Sequence, residues 1–303
     1  MLVHPLAGVY AAAVTPIKEN QTFDREAMPA LLDFLARRGC HGALILGTTG
    51  EGPSFSPEER QAIWQAALEV RQDHPEFRLL AGTGTPSLTE TSELNRAAFG
   101  MGFDGVVVLP PYYFRNASEE GLYVWFKKVI EMSVPNNGAV FAYHFPRVSG
   151  VPLSLNLLQR LKEDFPDQFL GIKDSSGELA HVQDLRQALG REFITLVGND
   201  RIFSRALGAG ASGCITALAN LRSKDLRIVW DGFLEGIEKG EAQRSLTTAR
   251  DVLERFPPTP AFVKAMLRTL HQIPRWELGP PLTALSSEDE ARATREMMRA
   301  VIR

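Results

Sequence analysis

The sequence predicts an α/β protein in which eight parallel strands and their helices form a (β/α)8 barrel, followed by a C-terminal helical extension. Short apolar runs alternate with longer stretches whose apolar residues have helical spacing. Eight strand–helix units occupy about 230 residues, or roughly 30 residues each, which is the length of one βαβ step. The apolar runs are continuous, as expected of strands that are covered on both faces.

The predicted strands are these short apolar runs. Within these runs, apolar residues do not alternate with polar ones. This pattern favours a parallel sheet over an antiparallel sheet that has one solvent-exposed face. In chain order the predicted strands are Gly8–Val14, Gly42–Leu46, Arg78–Gly82, Gly105–Leu109, Ala139–Tyr143, Phe169–Ile172, Phe193–Val197 and Gly213–Thr216.

The helices between the strands have recognisable beginnings. Ser56-Pro57-Glu58-Glu59 and Ser87-Leu88-Thr89-Glu90 predict capping boxes, in which serine accepts a backbone amide and glutamate reaches back to the cap. Asp24, Ser118 and Ser154 precede three further helical patterns. From the fourth onward, the barrel helices are predicted at Glu119–Met132, Leu155–Asp164, Glu178–Leu189, Asp200–Leu207 and Ser223–Glu235.

Alternating strands and helices also fit an open, doubly wound sheet. The dinucleotide-binding form of that sheet carries G-x-G-x-x-G after its first strand, and Gly82-Thr83-Gly84 lacks the third glycine. We therefore predict the closed TIM barrel. It covers residues 1–236 and holds the active site, and residues 237–303 form helices that pack on the barrel or on a neighbouring subunit. These C-terminal helices are predicted at Glu241–Arg255, Ala261–Leu270 and Glu288–Val301.

Composition and charge narrow the class of protein. The chain has 303 residues, of which 44% are hydrophobic and 23% charged, and its formal net charge is −3. This balance argues against a nucleic-acid partner, which a basic excess would favour. Cys40 and Cys214 are far apart and are predicted to be free buried thiols. We find no signal peptide in Met1 to Tyr10 and no apolar run of membrane-spanning length, and we expect a soluble, cytoplasmic protein.

The strand ends supply the candidate chemistry, because barrel active sites lie at the C-terminal ends of the strands. Lys173 ends the sixth strand, so its amine is expected to project into a partly desolvated barrel mouth. Desolvation disfavours the ammonium and so favours the free amine, which is the form that attacks a carbonyl. An ion pair with Asp174 or Glu178 is the structural alternative for this lysine. Tyr143 ends the neighbouring strand and is placed to transfer protons. Its alternative is a packed tyrosine on the rim.

Two glycine-rich stretches are candidates for binding anions. Gly47-Thr48-Thr49-Gly50 offers backbone amides and two hydroxyls to a small carboxylate, although a plain strand–helix turn also explains it. The stretch 208–213 precedes the last strand, so it lies at the wrong end of the barrel and is predicted to be a close-packed turn. The six histidines show neither H-x-H nor H-E-x-x-H spacing, and we predict no metal and no cofactor.

These features together resemble the dihydrodipicolinate synthase/N-acetylneuraminate lyase family of class I, pyruvate-handling aldolases. The resemblance covers essentially the whole chain. Its motifs are Gly47-Thr48-Thr49-Gly50-Glu51, Pro111-Tyr112-Tyr113, Tyr143 followed by Pro146 and Gly150, and Gly171-Ile172-Lys173-Asp174-Ser175-Ser176-Gly177. It implies a (β/α)8 barrel with C-terminal helices.

The resemblance also implies residue roles. Lys173 would form the Schiff base with a 2-oxo acid, and Tyr143 would be the proton shuttle beside it. Thr48 and Thr49 would hold the pyruvate carboxylate, with Thr48 linked to Tyr143 in a proton relay. Tyr113 would reach across a subunit interface to complete the relay, which implies a homodimer or a homotetramer.

Departures from the family pattern bear on the substrate. Val148 occupies the place of the arginine that binds the second substrate in dihydrodipicolinate synthases, and Arg147 lies one residue early. Asp200-Arg201 and Ala217 replace an Asp-Glu pair and a serine of N-acetylneuraminate lyases. The predicted substrate-binding residues, some for hydroxyls and some for a distal carboxylate, are Gly47, Thr49, Ser175, Asp200, Ile215 and Arg147, with Arg201 as the alternative to Arg147.

We therefore expect a lyase that cleaves or forms a C–C bond between pyruvate and an aldehyde, acting on a 2-keto-3-deoxy sugar acid or a related 2-oxo acid. The protonated imine would act as the electron sink without a metal. Three alternatives stay open: dihydrodipicolinate synthase activity, a sugar-acid dehydratase that uses the same imine, and a non-catalytic sensor of 2-oxo acids. Replacement of Lys173 by Arg separates the sensor from the enzymes.

Overall fold

A computed structural model describes residues 4–302. Eight parallel strands close into a barrel in chain order, with β1 paired to β8, so the predicted fold is confirmed. The strands are β1 (Gly8–Ala12), β2 (Gly42–Ile45), β3 (Arg78–Gly82), β4 (Gly105–Val108), β5 (Val140–His144), β6 (Phe169–Asp174), β7 (Ile194–Val197) and β8 (Gly213–Thr216).

Helices surround the barrel and continue beyond it. The barrel helices are α1 (Ala27–Arg37), α2 (Pro57–Leu68), α3 (Leu88–Gly100), α4 (Glu119–Ser133), α5 (Pro146–Ser149), α6 (Leu155–Asp164), α7 (Leu179–Leu189), α8 (Phe203–Gly208) and α9 (Ala219–Glu235). The C-terminal helices are α10 (Gly240–Arg255), α11 (Thr259–His271) and α12 (Ser287–Ile302). Short 3-10 helices lie at Gly52–Ser54, Glu69–Gln72 and Asp200–Ile202.

The apolar residues form two packed regions, one inside the barrel and one outside it. Tyr10, Leu44 and Phe141 are among the residues that fill the interior. A second and larger region lies between the strands and the helices and continues into α10, α11 and α12. Each strand therefore buries both of its faces, which explains why its sequence is continuously apolar.

The predicted helix starts are mostly found, with two corrections. Asp24 does not cap α1, because Glu26 is at the N-cap and no side chain caps this helix. Ser56 and Glu59 form a complete capping box, with both reciprocal bonds present. Ser87 accepts the Glu90 amide, but Glu90 does not return a bond to the cap, so the second predicted capping box is only half formed. Ser118 also caps its helix through its side chain. A single serine bond is sufficient to satisfy one otherwise unpaired amide.

Several element boundaries differ from the predicted ones, and one helix was not predicted. β6 extends through Lys173 to Asp174, so the strand itself carries the lysine. The four-residue helix α5 was not predicted, and it places Arg147 and Val148 on the surface. α9 begins at Ala219, four residues before the predicted start, and it is interrupted at Arg222, whose φ of −126° is not helical.

The barrel closes where two glycines meet. Gly213 has φ +141° and Gly8 has φ +139°, both in a region that favours glycine. A Cβ atom on Gly213 would lie 2.0 Å from the Gly8 carbonyl oxygen. The end of the stretch 208–213 is therefore tightly packed against β1, as the predicted turn requires, whereas Gly208 at its start is exposed.

The C-terminal helices are bonded to the barrel of the same chain. Gln243 donates to the Asp200 carbonyl oxygen at 2.8 Å, and Arg250 donates to the Asp200 carboxylate at 3.2 Å. Lys264 forms a buried ion pair with Glu51 in the loop after β2. Among residues 4–302, no helix has the length and apolar character needed to cross a membrane.

Candidate active site

The barrel mouth, meaning the C-terminal ends of the strands, holds the predicted lysine. Lys173 lies opposite Tyr143 in the β5–β6 register, and only 3% of it is exposed. Its Nζ lies 4.2 Å from the centre of the Tyr143 ring. Successive strand residues point to opposite faces, so Lys173 and Tyr143 face the barrel interior whereas Asp174 faces the helices. The two side chains singled out at the strand ends therefore come together.

Lys173 has no acidic partner in the described part of the chain. No carboxylate oxygen lies within 4.0 Å of its Nζ among residues 4–302, and Asp174 pairs with His181 instead. Glu178 lies on the exposed surface at the beginning of α7. The ion-paired alternative for the lysine is therefore not found.

A hydroxyl pair adjoins the lysine. The Thr48 Oγ1 and the Tyr143 hydroxyl lie 3.2 Å apart, and either group can be the donor. The loop that carries Thr48 also approaches the lysine, since a Cβ atom built on Gly47 would lie 3.9 Å from the lysine Nζ. Thr49 is buried next to Thr48. Gly47, Thr48, Tyr143 and Lys173 thus form one cluster at the mouth.

The loop after β2 is held in place by Glu51 and the C-terminal region. Glu51 adopts φ 58°, in the left-handed region that non-glycine residues seldom occupy. Its carboxylate accepts from Lys264 at 2.5 Å and from the Gly279 amide at 2.8 Å, and Lys264 also donates to the Glu277 carbonyl oxygen. Burial lowers the pKa of Lys264, while Glu51 acts in the opposite direction. The partners that hold Glu51 thus lie more than two hundred residues away in the chain.

Two charged residues predicted as substrate contacts are engaged elsewhere. The Asp200 side chain is fully buried and pairs with Arg250, and burial raises the pKa of Asp200 more than Arg250 lowers it. Arg201 pairs with Asp251 and Glu254 on α10. Neither side chain is free to bind a ligand at the mouth, so we leave both out of the substrate site.

The other predicted contacts occupy varied environments. Ser175 follows Asp174 at the mouth and packs so closely on Gly198 that a Cβ there would lie 2.1 Å from the Ser175 Oγ. Ile215 lines the barrel interior. Arg147 is exposed on α5. Tyr113 is 76% exposed, which leaves its ring available to a second subunit.

The sequence search missed one cluster of titratable groups. His144, Asp174 and His181 place ligand atoms within 4.8 Å of one another behind Lys173, although no local spacing motif connects them. His144 Nδ1 accepts the Leu153 amide at 3.2 Å, so the proton of the neutral ring sits on Nε2. A metal at Nε2 would need the opposite tautomer, and a metal at Nδ1 would displace the amide. The hydrogen bonding therefore disfavours a metal ion here.

The charges in this cluster are well defined. Burial lowers the pKa of His144 to about 4, so its ring is neutral near pH 7. Burial also lowers the pKa of His181, but Asp174 outweighs this effect and the net shift is upward. Burial raises the pKa of Asp174, while His181 and Ser176 produce a net downward shift. These directions favour an imidazolium–carboxylate pair of His181 and Asp174 beside a neutral His144.

Another cavity lies at the opposite end of the barrel. It has a volume of about 590 Å³, and its lining includes His4, His41, Arg78 and Trp230. The Nδ1 atoms of His4 and His41 accept the backbone amides of Leu6 and Val9. This cavity has no lysine beside a tyrosine, so the chemistry favours the mouth.

The fold and the cluster at its mouth define an enzyme of the (β/α)8-barrel class, with its reactive side chains on the strand ends. The chain belongs to the dihydrodipicolinate synthetase family, whose sequence profile matches residues 5–300. This finding confirms the resemblance found in the sequence. The protein is a lyase of this pyruvate-aldolase family.

Individual relatives agree with this assignment. An uncharacterized DapA-like lyase of Chloroflexus aurantiacus is 38% identical over 286 residues, covering 94% of this chain and 93% of that protein. A 4-hydroxy-tetrahydrodipicolinate synthase of Methanothrix thermoacetophila is 29% identical, covering 94% of each. The crystal structure of YagE, an Escherichia coli K12 prophage protein, in complex with pyruvate has a TM-score of 0.92. It shows 25% identity and covers 98% of this chain and 99% of that one.

Proposed function

We propose that this protein cleaves or forms a C–C bond between pyruvate and an aldehyde through an imine on Lys173, with a 2-keto-3-deoxy sugar acid or a related 2-oxo acid as substrate. The observation that carries the proposal is a buried lysine beside Tyr143 with no carboxylate within 4.0 Å of its Nζ in the described residues. A lysine amine that is not engaged by a carboxylate is available to attack a carbonyl carbon. The structure of YagE with pyruvate supports the ligand class.

The proposed reaction assigns a role to each group. The Lys173 amine adds to the C2 carbonyl of the 2-oxo acid, and loss of water gives the protonated imine. In the cleavage direction, the C3–C4 electron pair moves into the imine and leaves an enamine, while the C4 hydroxyl releases its proton as the aldehyde forms. Tyr143 and Thr48 transfer these protons, which the 3.2 Å hydroxyl contact supports. Protonation of C3 and hydrolysis of the imine then release pyruvate.

Binding of the substrate is assigned to the neighbouring groups. The amides and hydroxyls of Gly47, Thr48 and Thr49 hold the carboxylate of the 2-oxo acid. Ser175 and the exposed Arg147 contact the distal hydroxyls or the distal carboxylate, and Ile215 provides an apolar wall inside the barrel. No metal or cofactor enters this scheme, because the imine itself accepts the electron pair.

Dihydrodipicolinate synthase activity is the second candidate. The Methanothrix relative with this name is similar along nearly its whole length and supports the candidate. Val148 argues against it, since this exposed apolar side chain cannot pair with a second carboxylate. Dehydration of a sugar acid through the same imine differs only in the bond that breaks, and a product assay separates it from cleavage.

Borohydride trapping with pyruvate, followed by intact mass and peptide mapping, tests the proposal. We expect one reduced pyruvate adduct on Lys173 and none in the K173R variant. Absence of an adduct on the folded protein in excess pyruvate would refute the pyruvate chemistry. A panel of aldehydes and sugar acids, with aspartate semialdehyde included, then separates the lyase, dehydratase and synthase activities. An unaltered affinity of K173R for the 2-oxo acid, with no turnover by either protein, would instead indicate a sensor.

The proposal includes a homodimer or a homotetramer. Tyr113 is 76% and Phe114 67% exposed, and their rings contact each other edge to face at 5.2 Å. Exposed aromatic pairs of this kind are enriched at subunit interfaces. Analytical ultracentrifugation should detect the oligomer, and Y113A should weaken it. A monomeric protein with full lyase activity would contradict this part of the proposal.

A further inference from the structure

The cluster of His144, Asp174 and His181 lies directly behind the two reactive side chains. In the β5–β6 register Tyr143 pairs with Lys173, and the next pair along is His144 with Asp174. The first pair faces the barrel interior and the second faces the helices. His144 and Asp174 are therefore each adjacent in the chain to a group at the mouth, and His181 reaches Asp174 from α7.

Asp174 is the centre of this cluster. Only 1% of it is exposed, and its carboxylate accepts from the Ser176 amide at 3.0 Å and the Ser176 hydroxyl at 3.1 Å. His181 Nδ1 lies 3.2 Å from the same carboxylate, and it is the only cationic group within 4.0 Å of Asp174 among residues 4–302. A buried carboxylate without a cation is strongly unfavourable. His181 therefore provides the neutralising charge.

The surroundings of His181 are also defined. Its ring centre lies 4.6 Å from that of His144, which is neutral and therefore does not compete for the carboxylate. Glu178 and Asp184, at the beginning and within α7, add negative potential that favours the imidazolium. Asp174 on β6 is the only one of these acids in direct contact with it.

We propose that His181 is a positioning residue for Lys173: it neutralises the carboxylate of Asp174 on the outer side of β6, and its removal exposes the lysine amine to that charge. The role rests on the proposed imine chemistry, because a free amine is what that chemistry needs. Without His181, the nearest amine to the uncompensated carboxylate along the chain is that of Lys173.

The expected size of the effect of H181N on the Lys173 amine follows from Coulomb's law. A unit charge about 10 Å away, at an effective dielectric constant of about 20, shifts a titration by about one pH unit. In H181N, the pH at which half of the Lys173 amines are free should therefore rise by about one unit. Trapping of pyruvate at neutral pH should slow by about tenfold, because the reactive fraction of the amine falls.

Competitive labelling of amines as a function of pH, read at Lys173 by peptide mass, tests the inference without any substrate. H181N should shift the midpoint upward, and D174N/H181N, which lacks the carboxylate, should restore it. A loss of packing alone would not be reversed by D174N. H74N is the matched control, because His74 pairs with Asp33 at 2.8 Å outside the mouth cluster, and it should leave the midpoint unchanged.

Three results would overturn the inference. One is a folded H181N variant with an unchanged midpoint, and another is a shift that persists in D174N/H181N. A Zn²⁺-dependent shift that requires His181 would also overturn it and would indicate a metal site. The labelling experiment needs no 2-oxo acid, so it is independent of the proposed function. A protein that fails to trap pyruvate but shows these midpoint shifts would refute the proposed function and leave the role of His181 standing.

Discussion

Removing one partner of the ion pair between Lys264 and Glu51 should be strongly destabilising. The two side chains are 3% and 0% exposed, and their contact joins α11 to the loop that carries Thr48. K264M leaves the carboxylate buried without a cation, which typically costs about 3–5 kcal/mol. With about 2.1 cal/mol/K of unfolding entropy per residue, a chain of 303 residues should lose about 5–8 °C in Tm.

Calorimetry and urea unfolding of K264M, E51Q and the double variant measure this effect. The double variant removes both charges but keeps an amide oxygen to accept the Gly279 amide, so it should be more stable than K264M. K264M should also trap pyruvate more slowly, since the loop with Thr48 loses its anchor. A loss below about 1 kcal/mol, or a double variant no more stable than K264M, would refute the reasoning.

Three further predictions concern the mouth, the barrel closure and acid stability. Y143F removes the hydroxyl of the proton relay, and kcat should fall by about 10²–10⁴-fold; unchanged turnover would exclude Tyr143 as the shuttle. G213A places a Cβ atom 2.0 Å from the Gly8 carbonyl oxygen and should lower the free energy of unfolding by at least about 3 kcal/mol. G208A is the control and should be tolerated, because no atom lies within 4 Å of the added Cβ. Equal urea midpoints of the two variants would contradict this prediction. Burial lowers the pKa of His41 to about 4 in the folded protein. Between pH 6.5 and 4 the unfolded chain therefore binds more protons than the folded chain, and the free energy of unfolding falls as the pH falls through that window. H41N should reduce this acid-induced loss by about 1–2 kcal/mol after allowance for partial exposure, and an unchanged pH dependence of unfolding would count against it.

The fold was accessible to sequence reasoning because its signals are local. A strand buried on both faces must be continuously apolar, and a helix start must satisfy its first amides, so both leave a mark within a few residues. Lys173 and Tyr143 could be placed together because strand ends in a closed barrel converge on one rim. The barrel order then fixed them as neighbours.

The contacts missed by sequence reasoning depend on convergence through space. Glu51 and Lys264 are separated by 213 positions, and nothing near either residue identifies its partner. Asp200 follows a strand as a ligand-binding residue would, yet Arg250 on a C-terminal helix binds its carboxylate. The cluster behind Lys173 likewise combines two strands and a helix, and no spacing rule joins its members.

The pairing of Gly8 with Gly213 has a consequence for biosynthesis. The two ends of the barrel seam are about 200 residues apart, so at about 5–20 residues per second they leave the ribosome some 10–40 s apart. Throughout that interval β1 has an unpaired edge, which invites association with other chains. The amide of Asn220, which donates to the Ala12 carbonyl oxygen beside β1, emerges later still. Nascent chains of this protein should therefore need protection until nearly the whole barrel has been made.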